Sequence, residues 1–361
     1  MGGTTKRLDW VDMAKGLSIL LVVMMYSAFS TGEDTGGTGV LHWVIAFATP
    51  FRMPEFFLIS GLFLSLVISR NWSAYADRRV VHYLYFYALW AVIHIVFKDA
   101  LIGRDPVGAV SYLAWAIVEP YGVLWFIYML AVVSAVTKLL YELRAPHWAV
   151  LSVAAILQLS SVHTGSYAVD QFAAYFVYFY AGYALAPHIF KLADWANRHV
   201  LLAVACLVVW ALVNAGLVFS PGFAVEPGHV TMGLASIPVL HLALAIIGTL
   251  ALCVLAVLLT KLPFMAWLRW LGSNSLIVYL AFVLPMGIFR TVLLKVGVIT
   301  DVSTISILTM AVAIVAPLVL YGLIQLTGFG KFLFERPAWA HLPGTKPARR
   351  AEPDPMATPA E

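Results

Sequence analysis

The sequence predicts an all-α, polytopic membrane protein of about ten transmembrane helices with both termini cytoplasmic. Three observations predict it. Of the 361 residues, 62% are hydrophobic and 11% charged, with a mean hydropathy of +0.90; an ordinary soluble domain carries about 25% charge. Apolar runs of spanning length recur along the chain. Lys and Arg alternate from loop to loop: 17 fall on one side, Lys98, Arg104, Arg290 and Lys295 on the other, and Arg52 inside a run. Basic loops stay in the cytoplasm, so an even number of spans with both ends inside follows. That bias also accounts for the net charge of +4, so no nucleic-acid partner is expected.

In chain order the expected spans are 14–30, 41–68, 80–98, 122–142, 147–162, 170–189, 199–219, 236–259, 273–297 and 303–326. Residues 1–13 form a short cytoplasmic segment, 14–326 one transmembrane domain, and 327–361 a cytoplasmic tail. The tail is expected to be largely disordered, because 343–361 is rich in Pro, Ala and charge. The first span lacks a small-residue cleavage site and reads as a retained helix, not a signal peptide. Segment 107–119 is apolar but short, and should lie at the interface or re-enter. Trp125, near the outer end of the fourth span, and the cluster Tyr175, Tyr178, Tyr180 and Tyr183 default to an interfacial aromatic belt. Cys206 and Cys253 sit in apolar runs as small buried hydrophobes, with no disulfide or metal framework around them. No internal repeat of the transporter kind is present.

Polar groups inside apolar runs carry the functional signal. Lys15 opens the first helix and Tyr26 lies eleven residues on. At 1.5 Å per residue, Tyr26 is about 16 Å deeper, near the middle of a bilayer about 30 Å thick. Arg52 and Glu55 are three apart, between and beside Pro50 and Pro54. They share a helical face if the helix survives its prolines, either as an ion pair fixing a broken helix or as two walls of a water-filled substrate cavity. Arg78, Arg79 and His82 open the third helix, and with Lys15 they make a cytoplasmic collar suited to phosphates, or ordinary positive-inside charge. His94 and His241 lie inside spans, where a histidine is by default a hydrogen-bonded core residue. No Walker loop, His-Glu-x-x-His or Gly-x-Ser-x-Gly motif occurs; Ser60-Gly61 lies in a helix, not on a strand-to-helix turn. No metal is expected.

Six segments, taken in order, resemble the acyltransferase-3 family of integral membrane acyltransferases. They are Arg7, Asp12 and Lys15-Gly16; Met53-Pro54-Glu55-Phe56-Phe57-Leu58-Ile59-Ser60-Gly61; Arg78-Arg79-x-x-His82; Leu124-Trp125-Phe126; Tyr178 to Tyr183; and Leu271-Gly272 to Tyr279. The resemblance implies transfer of an acyl group, often acetyl, from a cytoplasmic acyl-CoA-type donor to a glycan or lipid-linked acceptor in a bacterial inner (plasma) membrane. It implies that Lys15, Arg78, Arg79 and His82 hold the donor and that Trp125 lines the site, with Arg52 and Ser60 as further substrate contacts. Three positions depart from the pattern: Tyr26 stands for the first-helix histidine, Phe282 for a second histidine, and His82 for a third arginine. A free phenol titrates near 10, so Tyr26 suits oxyanion stabilisation or transient acylation better than general-base work. Glu55, His94 and His82 are then the candidates for taking the acceptor proton. The departures also admit a catalytically silent relative that binds or translocates a lipid or glycan. The oligomeric state is open.

Overall fold

The computed structural model describes residues 8–345. Arg7 of the first motif, and the tail beyond Thr345, lie outside the described residues. The helices are α1 (Asp9–Thr35), α2 (Val40–Ala48), α3 (Arg52–Leu62), α4 (Trp72–Ala76), α5 (His82–Ile95), α6 (Pro106–Trp115), α7 (Trp125–Glu142), α8 (His147–Leu159), α9 (Tyr167–Ala184), α10 (Ala186–Arg198), α11 (Val200–Val218), α12 (Pro238–Leu259), α13 (Ala266–Ser273), α14 (Ser275–Ala281), α15 (Val283–Val296) and α16 (Val302–Thr327). A two-stranded antiparallel ribbon pairs Ala224 with Thr231 and Val225 with Val230. Asp301 caps α16; bonds from the side chain and backbone N–H of Thr304 hold its carboxyl below the usual range.

Among the described residues six helical segments are long and apolar enough to cross a membrane, and seven if the bent pair α14–α15 is one span. The ten expected spans are corrected accordingly, and the shortfall has local causes. Pro50, which lacks an N–H, splits 41–68 into α2 of 9 residues and α3 of 11. Each piece is about 14–17 Å long, half a bilayer. Residues 147–162 yield α8, 13 residues long. Helix α9 has 18 residues, but five tyrosines with Asp170 and Gln171 lower its hydropathy. The bent pair turns by 55°, next to Phe282. Segment 107–119 forms the short α6, with Val107, Val110 and Trp115 exposed. Cys253 is buried as expected, whereas Cys206 is exposed.

Helix α1 is the hub, packed against α2, α3, α12, α13, α14 and α16. Lipid tails are as apolar as Leu, so association in a bilayer rests on close packing of small residues. Gly272 of α13 meets the backbone of α1: a Cβ there would lie 1.7 Å from the Asp12 carbonyl oxygen. Gly61 of α3 and Gly182 of α9 face each other's partner backbones in the same way, each with a carbonyl oxygen 2.2 Å from where its Cβ would be. Both contacts lie on segments that the sequence motifs contain.

Two polar clusters tie the end of the bundle that carries Lys15, Arg78 and Arg79. Lys138, 1% exposed, donates to the carbonyls of Ile68 and Arg70 at 2.8 and 2.9 Å, pairs with Glu142, and sits among the rings of Trp72, Tyr75 and Tyr141. It is a structural cation, not a loop charge. The second cluster corrects the expected disorder from residue 327 onward: 328–345 is a structured strap. Trp90 and Tyr85 of α5 donate to the carbonyls of Leu333 and Phe332. Arg336 donates to the Asp77 carboxylate at 2.5 Å and to its backbone carbonyl at 2.7 Å, and His341 and the Leu342 N–H reach the same carboxylate. Asp77 opens the π-helical turn Asp77–Val81 that bears Arg78 and Arg79.

Gly272→Ala should lower stability by about 1–3 kcal/mol through overpacking, read as a depressed thermal midpoint in detergent. Gly287→Ala, where a Cβ meets nothing within 4 Å, should be near neutral. Arg336→Ala strands a buried carboxylate and should cost about 3–5 kcal/mol; the double variant with Asp77→Asn should recover part of that loss in the same melt.

Candidate active site

Helix α1 has no proline or other break, so Lys15 and Tyr26 ride one rod. Each opens into a different chamber. The basic chamber, about 350 Å³, is walled by Lys15, Ser60, Arg78, Arg79, His82 and Gly272 among others. Lys15 Nζ is 3.6 Å from Asp12 Oδ1, and Arg79 donates to the Tyr83 hydroxyl at 3.4 Å. The Ser60 hydroxyl is turned to its own helix, donating to the Phe56 carbonyl at 2.7 Å. His82 packs edge-on against Phe86.

The inner chamber, about 290 Å³, is walled by Tyr26, Arg52, Trp125, Gln171, Tyr175 and Tyr279 among others. Phe56, Phe126 and Tyr279 belong to both walls. The three rings form a partition: Phe56 and Phe126 meet edge-to-face at 4.8 Å between centroids, Phe126 and Tyr279 at 5.7 Å. The Tyr279 hydroxyl is anchored on the Val123 carbonyl at 2.5 Å. The basic rim and Tyr26 therefore belong to two chambers that share an aromatic wall.

Pro50 places the start of α3 inside the bundle, and Arg52 is its first residue. The guanidinium donates to the Thr49 hydroxyl at 3.3 Å, and its Nε has no partner among the described residues. Nor does any carboxylate among them pair with it. The sequence reading offered Arg52 and Glu55 as an ion pair or as two walls of one cavity, and among the described residues they form neither. Glu55 is fully buried, lies against Ser18 and Cys253, and is absent from both chamber walls. The short α3 winds the two side chains to different neighbours, α9 on one side and α1 with α12 on the other.

His94 is also outside both walls. It is 3% exposed, faces Trp90 at 5.8 Å between ring centroids and lies near the Leu280 backbone. Trp125 is 8% exposed, so it is not a belt residue. Its indole N–H, a donor only, lies within hydrogen-bonding reach of the Tyr26 hydroxyl, and its ring packs on Phe57 and Tyr175. The tyrosine cluster is likewise no belt: Tyr178 and Tyr180 are each 2% exposed, and Tyr175 lines the inner chamber.

Three wall residues escaped the sequence reading: Tyr167, Gln171 and Tyr175. They recur every fourth residue along α9, one helical face, and that spacing was the available signal. Two of the three positions departing from the motif pattern meet as well, since the rings of Tyr26 and Phe282 are 5.5 Å apart.

What the inner chamber offers is a phenol, an indole donor and a guanidinium with no carboxylate partner among the described residues, all in one wall. Such donors stabilise an oxyanion as it develops. No His, Asp or Glu stands in its wall. No group of His, Cys, Asp and Glu able to hold a metal occurs among the described residues. No curated protein and no solved structure matches the chain. A family model described as an acyltransferase domain matches residues 8–322, which takes in both chambers. The chain therefore belongs to the acyltransferase-3 family: it is a multi-pass membrane acyltransferase.

Proposed function

We propose that the protein transfers an acyl group, acetyl being the simplest case, from an acyl-CoA-type donor to a hydroxyl of an envelope glycan or lipid. It would do so in a bacterial inner membrane with the basic chamber facing the cytoplasm. One observation supports this reading: a chamber lined by Lys15, Arg78 and Arg79 and a chamber lined by Tyr26, Arg52 and Trp125 share a single aromatic wall. Lys15, Arg78 and Arg79, with His82, hold the donor's phosphates by charge-assisted hydrogen bonds. The slender thioester arm passes the partition of Phe56, Phe126 and Tyr279 and brings its carbonyl beside Tyr26.

The acceptor oxygen attacks the carbonyl carbon. Arg52 and the Trp125 N–H face the oxyanion that forms. As the carbon–oxygen bond forms and the carbon–sulfur bond breaks, the Tyr26 phenol accepts the acceptor's proton and passes its own to the departing sulfur. The net change is thioester plus alcohol to ester plus thiol. This route needs no ionised tyrosine and no separate base, which suits a wall without His, Asp or Glu. Glu55 and His94, away from that wall, have structural parts in this scheme.

Purified protein in lipid nanodiscs should release CoA thiol from acetyl-CoA when envelope extract is added; folded protein that leaves the donor intact would sink the proposal. Tyr26→Phe should lower kcat about 10²–10³-fold with donor KM little changed. Arg78→Ala and Arg79→Ala should instead each raise donor KM about 10–100-fold, the size of a lost charge-assisted contact. Wild-type kcat should be flat from about pH 6 to 8, since no group that titrates there lines the inner chamber. Tyr26→His should retain turnover and add an acid limb near the histidine range of about 6–7.

A further inference from the structure

A third cavity, about 470 Å³, opens at the far end of the bundle from Lys15 and Arg78. It lies between the end of α8, the start of α9 and the start of α12, and its wall includes Gln158, His163, Tyr167, Asp170, Gln171 and His241. Tyr167 and Gln171 also belong to the inner chamber. The three cavities therefore form a line: basic chamber, inner chamber, vestibule, each sharing side chains with the next.

The vestibule differs from the basic chamber in chemistry. It has two amides, two imidazoles and one carboxylate, and no Lys or Arg. An anionic ligand would find no counter-charge there, and an acyl chain would strand its polar groups. Planar amide, imidazole and carboxylate groups instead match the adjacent hydroxyls of a sugar, each of which both donates and accepts. Their placement is fixed by the fold. Gln158 Nε2 lies 3.3 Å from His241 Nδ1, and its buried Oε1 has no partner among the described residues. Thr164 grips one oxygen of Asp170 through its N–H and its hydroxyl, at 2.8 and 2.9 Å. Tyr167, 45% exposed, stands edge-to-face against Trp125 at 6.2 Å and offers the rest of its ring to the apolar C–H face of a sugar. The volume falls in the ~300–1,000 Å³ range of small-molecule sites.

We propose that the vestibule binds the acceptor and that the acceptor is a neutral sugar unit, which meets the acyl donor from the opposite end of the protein. The site rests on the reading of the inner chamber as the place of transfer. A sugar held against Tyr167 and Gln171 presents one hydroxyl past them to Tyr26 and Arg52; that oxygen becomes the ester oxygen, and its proton leaves through Tyr26 to the thiol.

The test uses full-length protein in nanodiscs and a panel of neutral hexose oligosaccharides beside uronate-containing counterparts, with binding read by saturation-transfer NMR. Wild type should bind members of the neutral set. Gln158→Leu and Tyr167→Ala should each weaken that binding by about tenfold or more, one lost hydrogen bond or stacking contact being worth about 1.4 kcal/mol. Acetyl-CoA affinity, which reports a folded donor end, should stay within about twofold in Gln158→Leu, whose side chain lines the vestibule and not the inner chamber. Neutral glycans that bind equally well to both variants, binding confined to acidic glycans, or no glycan bound at all would each overturn the proposal. Glycan binding that depends on Gln158 and Tyr167, alongside acetyl-CoA that is never consumed, would leave the vestibule standing and remove the transfer reaction instead.

Discussion

A guanidinium without a carboxylate partner, set at the start of a helix inside an apolar bundle, is the constraint on which the rest depends. Arg52 cannot face lipid, because a charge at mid-depth costs several kcal/mol unless hydrated or paired. It must therefore face a polar space, and the surrounding sequence supplies one. Pro50 ends α2 early, α3 starts within the bundle, and the break leaves room that Tyr26, Trp125 and Tyr175 line without filling. Its positive charge also adds to the positive end of the α3 helix dipole. The inner chamber thus holds a standing positive field that a reaction generating an oxyanion discharges, and a neutral ground state does not.

A chamber of that kind keeps its shape only if its walls cannot drift. Two helix pairs meet backbone-to-backbone through Gly272 against Asp12 and Gly61 against Gly182's helix. In lipid, where burial of apolar surface gives no net drive, such contact is the available source of precision. The strap at 328–345 does the same at the basic end. By occupying Asp77 with Arg336, His341 and the Leu342 N–H, it prevents the one carboxylate on the Arg78–Arg79 turn from folding back onto those cations. Arg78 and Arg79 beside it stay in the wall of the basic chamber, as the proposed donor site requires.

The sequence revealed the parts of this arrangement that depend on distance along one unbroken helix. Lys15 and Tyr26 fall in line because nothing interrupts α1, and Arg78, Arg79 and His82 fall on a single turn. It misled where a break or a second helix decides direction. Arg52 and Glu55 do stand on the first turn of α3, but the helices packed around that turn give them different surroundings, the inner chamber for Arg52 and Ser18 with Cys253 for Glu55. His94 looked available because its neighbours Trp90 and Leu280, which seal it in, are remote or uninformative in sequence. Trp125 and the α9 tyrosines read as a belt because aromatics at spanning length usually are; only the packing of α3 and α7 on α9 turns Tyr175 inward. The span count erred for a related reason. Hydropathy sums composition over a window and is blind to a proline that halves a helix or to a polar face that a bundle hides.

The contact between Tyr26 and Phe282 bears on how the chemistry is arranged. These are the two positions at which the chain lacks histidines that the motif pattern carries, and their rings lie 5.5 Å apart across α1 and the α14–α15 bend. The pairing has a physical consequence: a phenol beside an imidazole would bind it by a hydrogen bond, whereas the apolar Phe282 ring offers the Tyr26 hydroxyl no such partner. In the proposed scheme Tyr26 is therefore a neutral proton shuttle and Phe282 its apolar support. The same pairing suits a wall without His, Asp or Glu: in that scheme a phenol that gives one proton as it takes another needs only correct placement, and Trp125 from α7, Arg52 from α3 and the Phe282 ring at the α14–α15 bend surround it.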